Sequence, residues 1–297
     1  MARLKDVQNK ISAVKKTKQI TKAMNMVAAS RLRGAQMNME AFRPYAKKFA
    51  EVLTSLAEKA GEGASPLLIP HEEVKKVHVV LCTSDRGLCG GFNTNLVTKS
   101  EKFAKEISAS GAEVSITNFG KKGRDWSRKA KMPIISEHLG VIGTTIGFNI
   151  ASTSGRKLVD DYLAGVYDEV YVVYSEFRTM SKQVPVVEKI LPITPFTAAE
   201  TPAADHEKPY QAEHICEPSP AGLLGELLPM NVYVQLHRAF LETSTSEHAA
   251  RMMAMENATT ACNDMIGSLT LAYNKARQAA ITADLMDIVG GAEALKG

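Results

Sequence analysis

From Leu4 to about Lys59 the apolar residues return at steps of three and four: Leu4, Val7, Ile11 and Val14, then Ile20, Met24 and Val27, and later Leu32, Ala35, Met39, Phe42, Phe49, Leu53 and Leu56. Such steps collect on one stripe of a helix and predict a single long amphipathic helix. Pro44, its only internal proline, is expected to bend or loosen it locally, and "GEGASP" to end it.

Between about residues 74 and 195 the period changes. "VKKVHVVLC", "AEVSITNFG", "PIISEH", "EVYVVYSEF" and "VPVVEKILPI" are short β-branched runs bounded by glycine, proline or charge, and read as strands. "TNLVTKSEKFAKEIS", "KKGRDWSRKA" and "TIGFNIASTSGRKLVDDYLAG" lie between them and suit helices. Strand and helix alternate until a final hairpin, which predicts a Rossmann-like α/β domain. "TAAETPAADHEKPYQAEH" has little to bury and is expected to be an exposed, mobile linker. The chain therefore divides into an N-terminal helix (1–59), a central domain (74–195), a linker with a last short strand (196–216) and a C-terminal helix with its tip (217–297). The second long helix is expected from about Met230 to Val289, with Gly267 inside it and no proline. At 1.5 Å per residue it would be on the order of 90 Å long.

Helices of that length exceed the roughly 30 Å diameter of a small domain, so they are expected to project from it and to wrap each other as an antiparallel coiled coil. The fold class is then mixed, α+β or α/β by convention: a two-helix coiled coil from the two chain ends, and a central α/β domain. The seam is thin. Strict 3.5-residue spacing from Leu4 lands on Lys18, Thr21 and Asn25 after Val14, and "LETSTSEHAARMMAMENATTACNDMIGSLT" is rich in alanine, threonine, serine and methionine. Either the helices pack closely through small residues, or other chains complete their burial. The closing "ITADLMDIVGGAEALKG" favours the second reading, because Leu285, Met286, Ile288 and Val289 form an apolar tip with nothing in their own chain to cover it.

Charge refines the partner. The first 39 residues carry Arg3, Lys5, Lys10, Lys15, Lys16, Lys18, Lys22, Arg31 and Arg33 against Asp6 alone. A transit peptide has this composition, but here the helical pattern runs on without a break. Lys275 and Arg277 add positive charge at the other end, so the partner should present acids. Nucleic acid fits less well: aromatics are not interleaved with the basic residues, and the net charge is only +4. No stretch is apolar enough to span a membrane. The four cysteines, Cys82, Cys89, Cys216 and Cys262, lack C-x-x-C spacing, and the histidines lack H-x-x-x-H spacing; no metal is expected.

One stretch raises a different possibility. "TSDRGLCGGFN", Thr83 to Asn93, follows a strand and precedes a helix, the setting in which backbone amides cradle phosphate. Its glycines match neither G-x-x-x-x-G-K-[ST] nor G-x-G-x-x-G, so it reads as a tight turn, with Asp85 and Arg86 available to pair and Asn93 or Thr94 to cap the helix. No elbow serine, H-E-x-x-H or Cys and His cluster appears, so no active site, cofactor or small-molecule substrate is expected. A nucleotide-binding enzyme built on that turn, and a basic adaptor for nucleic acid, remain the alternatives from other classes.

"QITKAMNMVAASRLR", "TSDRGLCGGFN", "SEHAARMMAMENAT" and "YNKARQAAIT", taken in order along the chain, resemble the gamma subunit of the F-type ATP synthase. The resemblance covers essentially the whole chain. It implies a non-catalytic rotating shaft inside a ring of three alpha and three beta subunits. The central domain would lie near the epsilon subunit and the membrane c-ring, peripheral to the cytoplasmic face of a bacterial inner membrane. Ion flow would turn ring and shaft, and the shaft would drive the catalytic sites of the beta subunits. By position, Met24 would face a beta subunit and Arg251 would be coupled to it; Arg277, Gln278 and Thr282 would meet the catalytic subunits' loops; Glu217 would lie at the foot facing the ring. Asn25 stands where relatives often carry an acid.

Overall fold

The computed structural model describes residues 4–60, 65–71, 73–193 and 219–294. The expected linker, Cys216 and Glu217 lie outside the described residues. In chain order the elements are α1 (Leu4–Ala60), a short 3-10 turn (Pro66–Leu68), β1 (Lys76–Cys82), α2 (Phe92–Ala109), β2 (Glu113–Phe119), α3 (Lys121–Lys129), β3 (Ile134–His138), α4 (Phe148–Leu163), β4 (Glu169–Thr179), β5 (Lys182–Leu191) and α5 (Pro220–Ala294). Every strand and helix expected between residues 74 and 193 is present. Pro44 does not interrupt α1. The second long helix starts ten residues before the expected Met230 and carries Pro229 within its first turns.

The five strands form one sheet in the order β3-β2-β1-β4-β5. β1 pairs in parallel with both β2 and β4, and β2 with β3, while β4 and β5 form an antiparallel hairpin. The central strand β1 is buried from Val77 to Cys82, which is why "VHVVLC" reads as a continuous apolar run and not as an alternation. Pro185 is tolerated because β5 is an edge strand. Asp168, just before β4, accepts hydrogen bonds from the backbone amides of Lys75 and Lys76 and pairs with His71 Nδ1 at 2.8 Å. It thereby fixes the common starting edge of β1 and β4.

The chain divides into two compact units, residues 1–29 with 251–297, and residues 30–250. The second unit holds the sheet, the remainder of α1 and the first part of α5. Its helical segments run antiparallel, as the edge-on contact of Phe42 with His237 and the approach of Tyr45 to Met230 require. Within the first unit the two helix ends are also antiparallel: the Thr21 and Thr259 hydroxyls lie 2.8 Å apart, and Asn25 Nδ2 donates to the Met252 carbonyl at 2.8 Å.

Burial along α1 follows one unbroken 3.5-residue ladder: positions 4, 7, 11, 14, 18, 21, 25, 28, 32, 35, 39, 42, 46, 49, 53 and 56 are all buried or half-buried. Lys18, Thr21 and Asn25 therefore lie on the buried side, as strict spacing requires. Ile20 and Val27, which the apolar reading placed on the stripe, are 59% and 56% exposed. The ladder obeys the heptad register even where its residues are polar, as sustained pairing of two long helices demands.

Candidate functional site

The glycine-rich turn follows β1 where the chain order reverses, since β2 and β3 lie to one side of β1 and β4 to the other. In open α/β sheets this crevice at the carboxyl ends of the strands is where ligands bind. Here the protein's own groups occupy the turn. Ser84 donates through its hydroxyl to the Arg86 carbonyl at 2.6 Å and through its amide to Asn93 Oδ1 at 3.0 Å. Asp85 accepts from the amides of Lys121 and Gly140, each at 2.9 Å, and so ties the loops after β1, β2 and β3 together. Thr83 Oγ1 accepts from the Gly123 amide at 2.8 Å. The Asn93 or Thr94 cap expected for α2 does not form: Gly91 is the N-cap and provides no side-chain bond, while Asn93 reaches back to the turn.

The same edge of the sheet carries α5. The Phe240 ring lies 4.4 Å from that of Phe119, the last residue of β2. Beyond the part of β4 that pairs with β1, Ser175 gives its amide to Thr243 Oγ1 at 3.4 Å and accepts from the Ser246 hydroxyl at 3.1 Å. Glu242 accepts from the Phe177 amide; burial raises its pKa, against the opposing pull of Arg238 and Arg43. From Glu242 to His248 seven consecutive polar residues are buried. A helix polar all round is normally solvated. This one is enclosed, and its small hydroxyls serve as partners for β4 backbone. Sequence reasoning took this run as part of a thin coiled-coil seam; its signal was the absence of any long polar side chain between Glu242 and Glu247, which lets other elements close over the helix.

The sequence-derived interface residues separate into two groups along the paired helix ends. Met24 and Arg251 are both half-buried, and each is adjacent in sequence to one partner of the Asn25 to Met252 hydrogen bond. The structure thus places them at one level of the helix pair. Arg277, Gln278 and Thr282 are exposed and lie 26 or more residues further along α5, on the order of 40 Å away. The Thr282 hydroxyl donates to the Gln278 carbonyl within its own helix. Around them every residue from Ile281 to Ala294 is exposed, including Ile281, Leu285, Met286, Ile288 and Val289 at 51–68%. Glu217 belongs to neither group because it lies outside the described residues.

Chemically, this arrangement presents an apolar and basic helical surface and no set of convergent reactive groups. Among the described residues no three His, Cys, Asp or Glu side chains gather as metal ligands, and no helix is long and apolar enough to cross a membrane. Cys82 and Cys89 are buried thiols, and burial pushes the Cys82 thiol pKa up, away from the reactive range.

A family model described as ATP synthase matches residues 3–295. The chain is 65% identical to the ATP synthase gamma chain of Desulfosudis oleivorans over the whole of both chains. It is 60% identical to that of Desulforapulum autotrophicum over 99% of this chain and all of the relative. Among solved structures, the central stalk and c-ring assembly of Tetrahymena thermophila mitochondrial ATP synthase contains a chain that superposes with a TM-score of 0.58 at 25% identity, covering 80% of this chain and 99% of that one. A chain from the rotor of Euglena gracilis mitochondrial ATP synthase superposes with a TM-score of 0.61 over 94% of this chain and 98% of that one; at 18% identity it speaks to the fold alone.

Proposed function

Because the chain belongs to the ATP synthase gamma-chain family, we propose that it is the non-catalytic central shaft of an ion-driven ATP synthase, turning with the membrane ring and imposing its asymmetry on catalytic sites carried by other subunits. The observation that supports this reading is the set of exposed apolar residues on the paired helix ends, Ile20, Met26 and Val27 on α1 and Leu271, Ile281, Leu285, Met286, Ile288 and Val289 on α5, which suits burial in a sleeve of partner chains. Three alpha and three beta subunits fit that sleeve. The epsilon subunit and the c-ring are the partners of residues 74–195 and of Glu217, at the membrane-facing end. The complex is peripheral to the cytoplasmic face of the cell membrane. Residues 1–59 and 217–297 act as the shaft and 196–216 as a connection.

Met24 and Arg251 form one contact site with the sleeve, and Arg277, Gln278 and Thr282 a second. A rotor works against shallow angular barriers, and apolar or small contacts exchange partners at little cost, whereas a desolvated ion pair would hold one angle. The exposed Ile20, Met26, Val27, Leu271, Ile281 and Leu285 suit that demand. The non-catalytic part of the reading is supported by the crevice at the turn, where α5 and the turn's own side chains take the place a nucleotide would need.

Affinity purification through a tag on this chain tests the proposal. Two larger subunits should be recovered in equal amounts, three of each per tagged chain, with nucleotide bound to them. Recovery of the chain alone, with saturable nucleotide binding abolished by Asp85→Ala, would favour the enzyme reading instead.

A further inference from the structure

β4 outruns the strand beside it. Its pairing with β1 ends at Val173, whereas its pairing with β5 runs on to Thr179. From Tyr174 onward one edge of β4 has no strand against it among the described residues, and such an edge offers its amides and carbonyls to whatever can pair with them. Side chains of α5 cover it. Thr243 and Ser246 bond the amide and the carbonyl of Ser175, at 3.4 and 3.1 Å, and Glu242 takes the Phe177 amide. One turn earlier on α5, Arg238 reaches β5: its Nη2 lies 2.5 Å from each carboxylate oxygen of Glu188. The Tyr174 hydroxyl donates to the same carboxylate at 2.9 Å, so both strands of the hairpin end are tied to the helix.

Arg238, Glu242, Thr243 and Ser246 follow at steps of four, one and three, which puts them on one face of the helix. Tyr174 and Glu188 are diagonal neighbours on one face of the hairpin, since Tyr174 stands opposite Val186 and Glu188 opposite Val172. The domain also meets α5 through apolar contacts, Phe119 against Phe240 and the backbone of Gly155 against the Tyr233 ring. Those contacts hold the helix close, but apolar attraction has no direction and leaves a helix free to turn about its own axis. Hydrogen bonds and charged pairs depend on angle and fix that turn.

We infer that Arg238, Glu242, Thr243 and Ser246 form the joint that locks the hairpin end to α5 against rotation about the helix axis, with Arg238 and Thr243 as positioning residues. The inference rests on the shaft reading, because torque passing between the central domain and α5 loads this contact. Loosening the joint lets the domain lag behind the helix, so twist is absorbed where it should be passed on.

Two measurements on Arg238→Met and on Thr243→Val, the second a change of nearly equal volume, test it. Hydrogen exchange in the full chain reads the Ser175 and Phe177 amides; in the assembled complex, held by its partner subunits with nucleotide withheld, a bead at the exposed Lys131→Cys reads the angular spread of the domain. Exchange at those amides should quicken about tenfold, and the variance of the bead angle should grow about twofold or more, as directional bonds are lost from the contact. Arg238→Lys, whose ammonium can still meet Glu188, should fall between Arg238→Met and the parent. Unchanged exchange in both variants, or quickened exchange with the parent's angular variance, would overturn the joint while leaving a rotating shaft. A parent complex whose bead never rotates when ATP is supplied would remove the shaft reading and this inference with it.

Discussion

The hydroxyls of Thr21 and Thr259 meet at 2.8 Å across two helices whose sequence positions differ by 238 residues. One hydroxyl donates to the other, and the accepting one is left to donate to a carbonyl of its own helix, Lys18 for Thr21 or Met255 for Thr259. The pair lies on the ladder at the point where its apolar residues give out, and with Asn25 and Met252 it marks the register of the helix ends where packing alone is thin.

A double-mutant cycle of Thr21→Val and Thr259→Val should therefore give a coupling energy of about 0.5–1 kcal/mol, each single change leaving one hydroxyl unpaired across the seam. Hydrogen exchange at the amides of the two helix ends measures it. Strict additivity would show that the contact carries nothing.

Gly120 joins β2 to α3 with φ +108°, and a Cβ there would sit 2.1 Å from the Thr83 carbonyl oxygen. Both the left-handed backbone and the close approach exclude a side chain. Gly120→Ala should destabilise residues 30–250 by more than about 3 kcal/mol, as strain and steric conflict combine, lowering the midpoint in urea unfolding. A midpoint within error of the parent would contradict the packing of the turn.

His78 supplies a pH dependence. Burial, helped by the Lys157 charge, lowers its pKa to about 4 from an ordinary 6.5. The unfolded chain thus takes up a proton near pH 6.5 that the folded chain refuses until about pH 4. Stability from this group is complete above pH 6.5, declines as pH falls, and is lost below about 4. The loss is on the order of 3 kcal/mol at most. His138 and His237, whose values are also lowered by burial, act in the same direction. Urea unfolding at a series of pH values should show a shallower decline between pH 6.5 and 4 in His78→Leu than in the parent. Equal slopes would remove His78 from the account.

Met24→Lys would place a cation beside the Asn25 to Met252 bond, at the first of the proposed sleeve contacts. The expectation is that purified complex assembles in near-normal amount while the yield of transported ions per ATP falls several-fold, because an ion pair to the sleeve adds an angular barrier. Parallel loss of assembly and coupling would mean that the side chain matters only for folding.

Much of this was readable in the chain. The central strands and helices announced themselves through β-branched runs and glycine boundaries, and strict 3.5-residue spacing put Lys18, Thr21 and Asn25 on the buried ladder before any coordinates did. What could not be read was where polar residues change role. Ile20 and Val27 look like seam residues by hydrophobicity and are exposed, because long-range register outweighs local composition. Glu242 to His248 look like part of a thin coiled-coil seam and are enclosed against the sheet instead, because their partners, Ser175 and Phe177, come from β4, some 70 residues earlier. The Asp85 bridge to Lys121 and Gly140 was hidden for the same reason: its acceptors serve amides brought near only by the parallel sheet.

The central claim is that this chain turns. With the assembled complex fixed to a surface through its partner subunits and a bead attached at Lys131→Cys, an exposed position after α3, microscopy during ATP hydrolysis should record continuous rotation in one sense that stops when ATP is exhausted. A bead that stays at one angle while the same complexes hydrolyse ATP at full rate would contradict the account.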